Sequence, residues 1–301
     1  LSDKNKGLQL EDKTVMKEVS AAMSQTRASI ALLDTIALFK SKVSNAHTIA
    51  GAIGFDPVIS EQLLREVNSP HYSLPHRVKE LHHAISLLGF KRTQEVVQSL
   101  SKNKMYEEVE NSYFELMGFK KHGIAVGCFA QQIAQHLKLS DPVAFFKAGT
   151  MHDIGKYFYL TRASAQFEEL VKIARTENLP LYEVERTHLK TDHAEIGYAM
   201  ATEWDLSPEV CAAVRYHHGL DEKARKRLTS REIQMVEVVS YANLLSHGQK
   251  NAQSSTGRRV QIKDLPPPPG IITEEDLARI IIASESQYDV ECENAGITSV
   301  L

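Results

Sequence analysis

The chain has 301 residues, 35 Lys and Arg against 38 Asp and Glu, a formal net charge of -3 and 43 % hydrophobic residues. These proportions fit a globular protein of one large domain or two lobes, with a sizeable core, and exclude disorder and collagen-like structure. The near-neutral balance without a basic stripe argues against a protein built to neutralise nucleic-acid phosphates.

No apolar run approaches the roughly 18 to 20 residues that span a bilayer, and Leu1 to Gln9 lacks the apolar stretch of a signal peptide, so a cytoplasmic location without membrane attachment is expected. Cys128, Cys211 and Cys292 are odd in number and in no C-x-x-C arrangement, which predicts free, mostly buried thiols.

Apolar residues recur at helical spacing almost throughout, which predicts an all-α fold. Leu32, Leu33, Ile36 and Phe39 form a first amphipathic face. Asp56-Pro57 is a helix entry, followed by Ile59, Leu63 and Val67, with Asn68-Ser69-Pro70 as the stop. Val78, Leu81, Ile85 and Leu88 form the next stripe, closed by Gly89, and Val96, Val97 and Leu100 belong to a new helix. The charged, poorly periodic stretch from Ser101 to Asn111 reads as a joint between two lobes. After His247 comes a polar stretch from Gly248 to Arg259 and the run Pro266 to Pro269, a stiff linker or surface strap. Thr273-Glu274-Glu275-Asp276 opens a last helix through Ile282. The expected organisation is a helical extension over 1–24, a helical lobe over 25–112, a second lobe over 113–247, and a linker with a C-terminal helix over 248–301.

The 13 histidines are the compositional signal. His122 shares a helical face with Ala125, Val126, Phe129, Ala130, Ile133 and Leu137, so its imidazole points inward. The same spacing places His152 with Phe145, Ala148 and Gly149, and His193 with Ile196, Gly197, Met200 and Trp204. It also places His217 with Val210, Ala213 and Val214, and Asn243 with Val236, Val239 and Ser240. Burying these polar groups is costly unless each finds a partner, and a metal cluster satisfies them together. His47, His71, His76, His82, His83 and His136 read as ordinary surface or core histidines, and His188 as a residue of a surface turn. Adjacent His152 and Asp153 suit a two-metal site, the carboxylate bridging to a second ion. Imidazole-rich ligation favours iron or manganese, or else nickel or zinc, one or two ions, over calcium and magnesium.

These residues resemble the HD superfamily: His122, then His152-Asp153-Ile154-Gly155-Lys156, then Asp192-His193-Ala194-Glu195-Ile196-Gly197, then Trp204 and His217-His218. Upstream, Gly54-Phe55-Asp56-Pro57, Leu63 to Pro70 and Ala84 to Gly89 are similar to the HDOD domain, the HD-related output domain of bacterial signal transduction. The resemblance spans roughly residues 25 to 245. It implies two helical lobes, a regulatory or output role, and signalling proteins or a small-molecule or nucleotide ligand as partners. By comparison with HD-GYP relatives that hydrolyse cyclic di-GMP, it implies a metal-ligand set of His122, His152, Asp153, His193, His217, His218 and Asn243. Asn243 stands where those enzymes have Asp, which weakens the ion bound with His122, His152 and Asp153 and predicts partial occupancy.

The sequence after the double His, Gly219-Leu220-Asp221, lacks the Gly-Tyr-Pro loop of the cyclic-dinucleotide enzymes. The alternative function is a metal-dependent phosphohydrolase of nucleotides or cyclic nucleotides. There, water activated by the ions attacks phosphorus, Asp153 bridges them, and Lys156 neutralises a phosphate oxygen. A solvent-facing Lys156 near a helix end is an equal alternative. The first lobe carries no catalytic constellation and is assigned to protein contacts; without a helix-turn-helix signature, direct DNA binding is not expected.

Overall fold

Helical periodicity translates into helices almost everywhere in the computed structural model, which describes residues 45–53, 57–100, 113–162, 164–247, 269–270 and 272–294. The expectations for residues 1–24, for Leu32, Leu33, Ile36 and Phe39, for Gly54 to Asp56, for the joint at 101–111 and for most of the linker lie outside the described residues. Among the described residues there is no strand, and no helix is long and apolar enough to cross a membrane. The described helices are α1 Ala46–Ile53, α2 Pro57–Val67, α3 Leu81–Leu100, α4 Tyr113–His136, α5 Pro142–Met151, α6 Gly155–Arg162 and α7 Ser164–Glu177. They continue with α8 Leu181–Leu189, α9 His193–Glu203, α10 Pro208–Tyr216, α11 Glu222–Arg225, α12 Ser230–His247 and α13 Glu274–Asn294. They fall into two units, one within Glu115–Asp289 and one within Met23–Phe114 and Val290–Val300.

In the second of these units, α1 and α2 pack on α3 around Ile49, Ile53, Ile59, Leu63, Val67, Ile85 and Val97. The α2 stop is secured by the Asn68 side chain, which donates to the carbonyls of Leu64 (2.7 Å) and Val78 (2.9 Å) and accepts from the Val78 amide at 2.8 Å. One amide therefore satisfies a helix-end carbonyl and both main-chain groups of Val78. Val78 precedes α3, yet it stays in the core. Gly89 interrupts α3 with φ 71° and ψ 164°, a left-handed value that glycine adopts without steric penalty. The expected helix end at Gly89 and fresh start after it are thus a kink between two helical segments.

The other unit is assembled through close backbone approaches. A Cβ on Gly149 of α5 would come within 2.7 Å of the Gly127 Cα on α4. At the start of α6, a Cβ on Gly155 would run into the His193 carbonyl oxygen and reach 2.7 Å from the Gly197 amide nitrogen of α9. Only glycine fits these crossings, and they bring the starts of α6 and α9 together.

Side-chain caps fix where the elements begin. Asp192 accepts from the Glu195 amide at 2.9 Å at the head of α9, and Ser207 with Pro208 opens α10. At α13, Thr273 and Asp276 bond each other reciprocally. That helix runs to Asn294, past the expected end at Ile282. Its continuation has polar tertiary anchors, since Gln287 donates to Gln131 at 2.6 Å and accepts from Gln132 at 2.7 Å. Cys128, Cys211 and Cys292 are buried and form no disulfide among the described residues.

Candidate metal centre

Each inward histidine is set by a local helix feature. His152 follows the last residue of α5 and His217 the last of α10, and each Nδ1 lies on the carbonyl three residues back, Gly149 at 2.7 Å and Val214 at 2.8 Å. These are carbonyls that a helix end leaves without an amide partner. A carbonyl only accepts, so Nδ1 carries the proton and Nε2 keeps its lone pair. His122, on α4, faces Ser246 of α12 with 3.4 Å between Nδ1 and Oγ; that hydroxyl already donates to the Asn243 carbonyl at 2.7 Å. His122 Nδ1 is therefore the donor, and its Nε2 is free of hydrogen.

The Nε2 atoms converge on Asp153. His193 and His217 lie 3.2 and 3.4 Å from Oδ1, and His152 and His122 lie 3.4 and 3.7 Å from Oδ2. All five residues are at most 6 % exposed. Two overlapping donor groups result, Asp153 with His193, His217 and His218, and Asp153 with His122 and His152, the ligand atoms of each within 4.8 Å of one another. Asn243 is buried with its Oδ1 unpartnered, one turn before Ser246 on α12. Lys156 is not solvent-facing: it is buried, donates to Asp153 Oδ2 at 2.5 Å, and lies 5.5 Å from the centre of the Phe119 ring.

Four buried atoms here have no hydrogen-bond partner: His152 Nε2, His217 Nε2, Asp153 Oδ1 and Asn243 Oδ1. Each unsatisfied buried polar atom costs about 1–3 kcal/mol. All four are acceptors, so only a proton donor or a cation can satisfy them. The nitrogen-rich donor set fits a transition metal, with each imidazole fixed through its other nitrogen.

Three contributors were not singled out in the sequence. Glu185, fully buried on α8, accepts from the His193 amide at 2.9 Å and from its Nδ1 at 2.6 Å. It occupies the apolar face of α8 with Leu181, Val184 and Leu189, so a charge at a core position was the available signal. His247, at i+4 from Asn243, stacks on His122 with ring centres 5.1 Å apart. Tyr182 stacks on His218 at 4.2 Å. His188 proves exposed and lies on α8 rather than in a turn, while His71, His76 and His83 are exposed and His82 and His136 half-buried. The side chain of His47 lies outside the described residues.

The electrostatics separate the imidazoles. Burial pushes His217 and His247 down to about 4, and holds His122 and His218 well below their ordinary value. Burial opposes charge on His193 too, but the Glu185 carboxylate outweighs it and raises that residue to about 9. Burial likewise works against the Asp153 carboxylate, yet His152 and Lys156 hold it well below the carboxylate range.

A pH dependence follows for the ion-free protein. A histidine depressed on folding binds fewer protons folded than unfolded, so its contribution is complete above about 6.5 and lost as pH falls towards 4. For the fully buried His217 the loss amounts to roughly 3 kcal/mol, at about 1.4 kcal/mol per unit. His193 acts oppositely, its contribution complete below about 6.5 and lost as pH rises through about 9. Denaturant unfolding in chelator should show stability falling steeply between pH 6.5 and 4; a flat profile there would contradict the buried neutral state of these rings.

The HDOD domain family model matches residues 29–220. The chain belongs to the HDOD domain family. An uncharacterized protein of Treponema pallidum (strain Nichols) is 21 % identical over 255 residues, covering 78 % of this chain and 48 % of that protein, so the chain spans about half the length of this curated relative. Among solved structures, an HDOD domain protein of unknown function from Geobacter sulfurreducens is similar, with 19 % identity, a TM-score of 0.46 and coverage of 97 % and 99 % of the two chains. The response regulator MmoQ from Methylococcus capsulatus is 21 % identical with a TM-score of 0.42, over 85 % of this chain and 95 % of that one.

Proposed function

We infer that this HDOD chain is a signal-transduction output module whose HD-type core closes around a bound transition ion, iron or manganese ahead of nickel or zinc. The observation that carries this reading is the donor group of Asp153, His193, His217 and His218, four ligand atoms within 4.8 Å. Four buried protein donors would hold an ion chiefly through protein ligands, which supports a structural role over a catalytic one that keeps a position open. Three of the four residues are nearly inaccessible, and Tyr182 covers the fourth. A bound ion would supply stabilisation of the native state by mass action. His193, His217 and His218 would each hold it through an imidazole nitrogen and Asp153 through a carboxylate oxygen; Glu185 fixes the His193 ring, and the Val214 carbonyl fixes His217. The output is exerted on signalling proteins, or is set by a small-molecule or nucleotide ligand.

One observation favours the second reading, a metal-dependent phosphohydrolase of nucleotides: Asp153 is shared by both donor groups, as in two-metal hydrolytic sites. Against it, the Lys156 ammonium, expected to meet a phosphate oxygen, is engaged by Asp153. The test pairs elemental analysis of protein purified without chelator with a phosphoester screen in manganese and in iron. One expected result is bound transition metal with no turnover of cyclic di-GMP, in keeping with the missing Gly-Tyr-Pro loop. Robust hydrolysis of any phosphoester would replace the first reading with the second.

A further inference from the structure

The two oxygens of Asp153 have unlike surroundings. Oδ1 faces His193 and His217 and has no hydrogen-bond partner. Oδ2 faces His122 and His152, and there the position for a positive charge is filled by the Lys156 ammonium at 2.5 Å. That ammonium is enclosed as well as paired, with its side chain 7 % exposed and the Phe119 ring beside it.

Ligand charge points the same way. Asp153 is the one carboxylate in both donor groups found among the described residues. On the Oδ2 side the next candidate donor is Asn243, whose amide oxygen brings no charge. A divalent ion at Oδ2 would have to sit beside a buried ammonium with half a carboxylate to compensate it. At Oδ1 an ion would replace the proton shared by His193 Nε2 and His218 Nε2, which lie 2.7 Å apart, and would meet three imidazoles and an oxygen with no hydrogen-bond partner.

We propose that the chain takes one transition ion, on the Oδ1 side with His193, His217 and His218, and that Lys156 is a built-in cation replacing a second ion at Oδ2. This rests on the metal-bound core inferred above and adds its stoichiometry and the residue that sets it. His122 and His152 then flank the oxygen that the ammonium holds rather than forming a second binding site. Like the ion, Lys156 keeps Asp153 charged and oriented, but it cannot be chelated away.

The test is metal stoichiometry of the full chain, loaded with excess cobalt(II), freed of unbound ion and assayed by elemental analysis, with visible absorption reporting coordination. The expected values are one ion for the native chain, one for His122→Ala, and none for His217→Ala. Two are expected for Lys156→Met combined with Asn243→Asp, which removes the ammonium and adds a carboxylate. Two ions on the native chain would overturn the proposal, as would loss of the ion in His122→Ala or a double variant that folds and stays at one. Circular dichroism checks folding, and should the double variant not fold, the contrast between His122→Ala and His217→Ala decides by itself. No ion on the native chain would bring down the metal-bound core itself, a result distinct from two ions, which overturns this proposal alone.

Discussion

Gly155→Ala is expected to abolish the folded state of the unit that carries the histidines. The added methyl would lie inside the His193 carbonyl oxygen and within 2.9 Å of its carbon, both main-chain atoms that no rotamer change can move aside. The starts of α6 and α9 would have to separate, and with them Asp153 and His193, whose contact is 3.2 Å. Overpacking usually costs about 1–3 kcal/mol, but a clash with backbone at a fixed crossing belongs with the exceptional losses above about 4 kcal/mol, comparable to a domain's whole stability. Thermal unfolding followed by circular dichroism should show no cooperative transition, or one displaced by tens of degrees. A melting temperature within a few degrees of the parent would mean that the helices are not held at this spacing.

Glu185→Gln is expected to lower ion affinity by about 10–100-fold, the usual cost of losing the group that orients a ligating histidine. The carboxylate fixes the His193 ring through Nδ1 and holds its main-chain amide at the head of α9. Glutamine keeps the shape but removes the charge. In the ion-free protein the same change should bring His193 down from about 9, because Glu185 is what offsets the burial of that ring. Competition with a chromophoric chelator measures the affinity, and histidine proton resonances followed with pH measure the titration. Unchanged affinity together with an unchanged titration would remove Glu185 from the site.

These two residues mark the boundary of what the sequence made legible. Helical spacing was enough to place His122, His152, His193 and His217 on inward faces, because a face that buries Val126, Phe129 and Ile133 buries whatever else lies on it. The start of α13 was readable for the same kind of local reason, the Thr273-Glu274-Glu275-Asp276 run that opens it. Glu185 was not, since its function is defined by a partner on another helix. Lys156 was ambiguous because a lysine one turn after an aspartate reads alike on a surface and in a core, and burial by Phe119 is a tertiary fact. Gly155 was quoted as part of a motif, but its reason, the approach of another backbone, needs both helices in place. The extent of α13 was missed because its later turns carry mostly polar residues, and the glutamine bonds that anchor it reach back more than 150 residues in sequence.

The stack over His218 has a kinetic consequence. Tyr182 lies nearly parallel to the imidazole, and the Arg186 guanidinium packs over the Tyr182 ring at 5.1 Å while bonded to Asp192. Asp192 in turn caps α9, the helix that presents His193. Ring, guanidinium and cap thus form one latch over His218, the least buried of the candidate donors, and an ion passing that way would have to wait for the latch to open. Release of an ion would then depend on how often α8 and the head of α9 loosen as well as on the strength of its bonds.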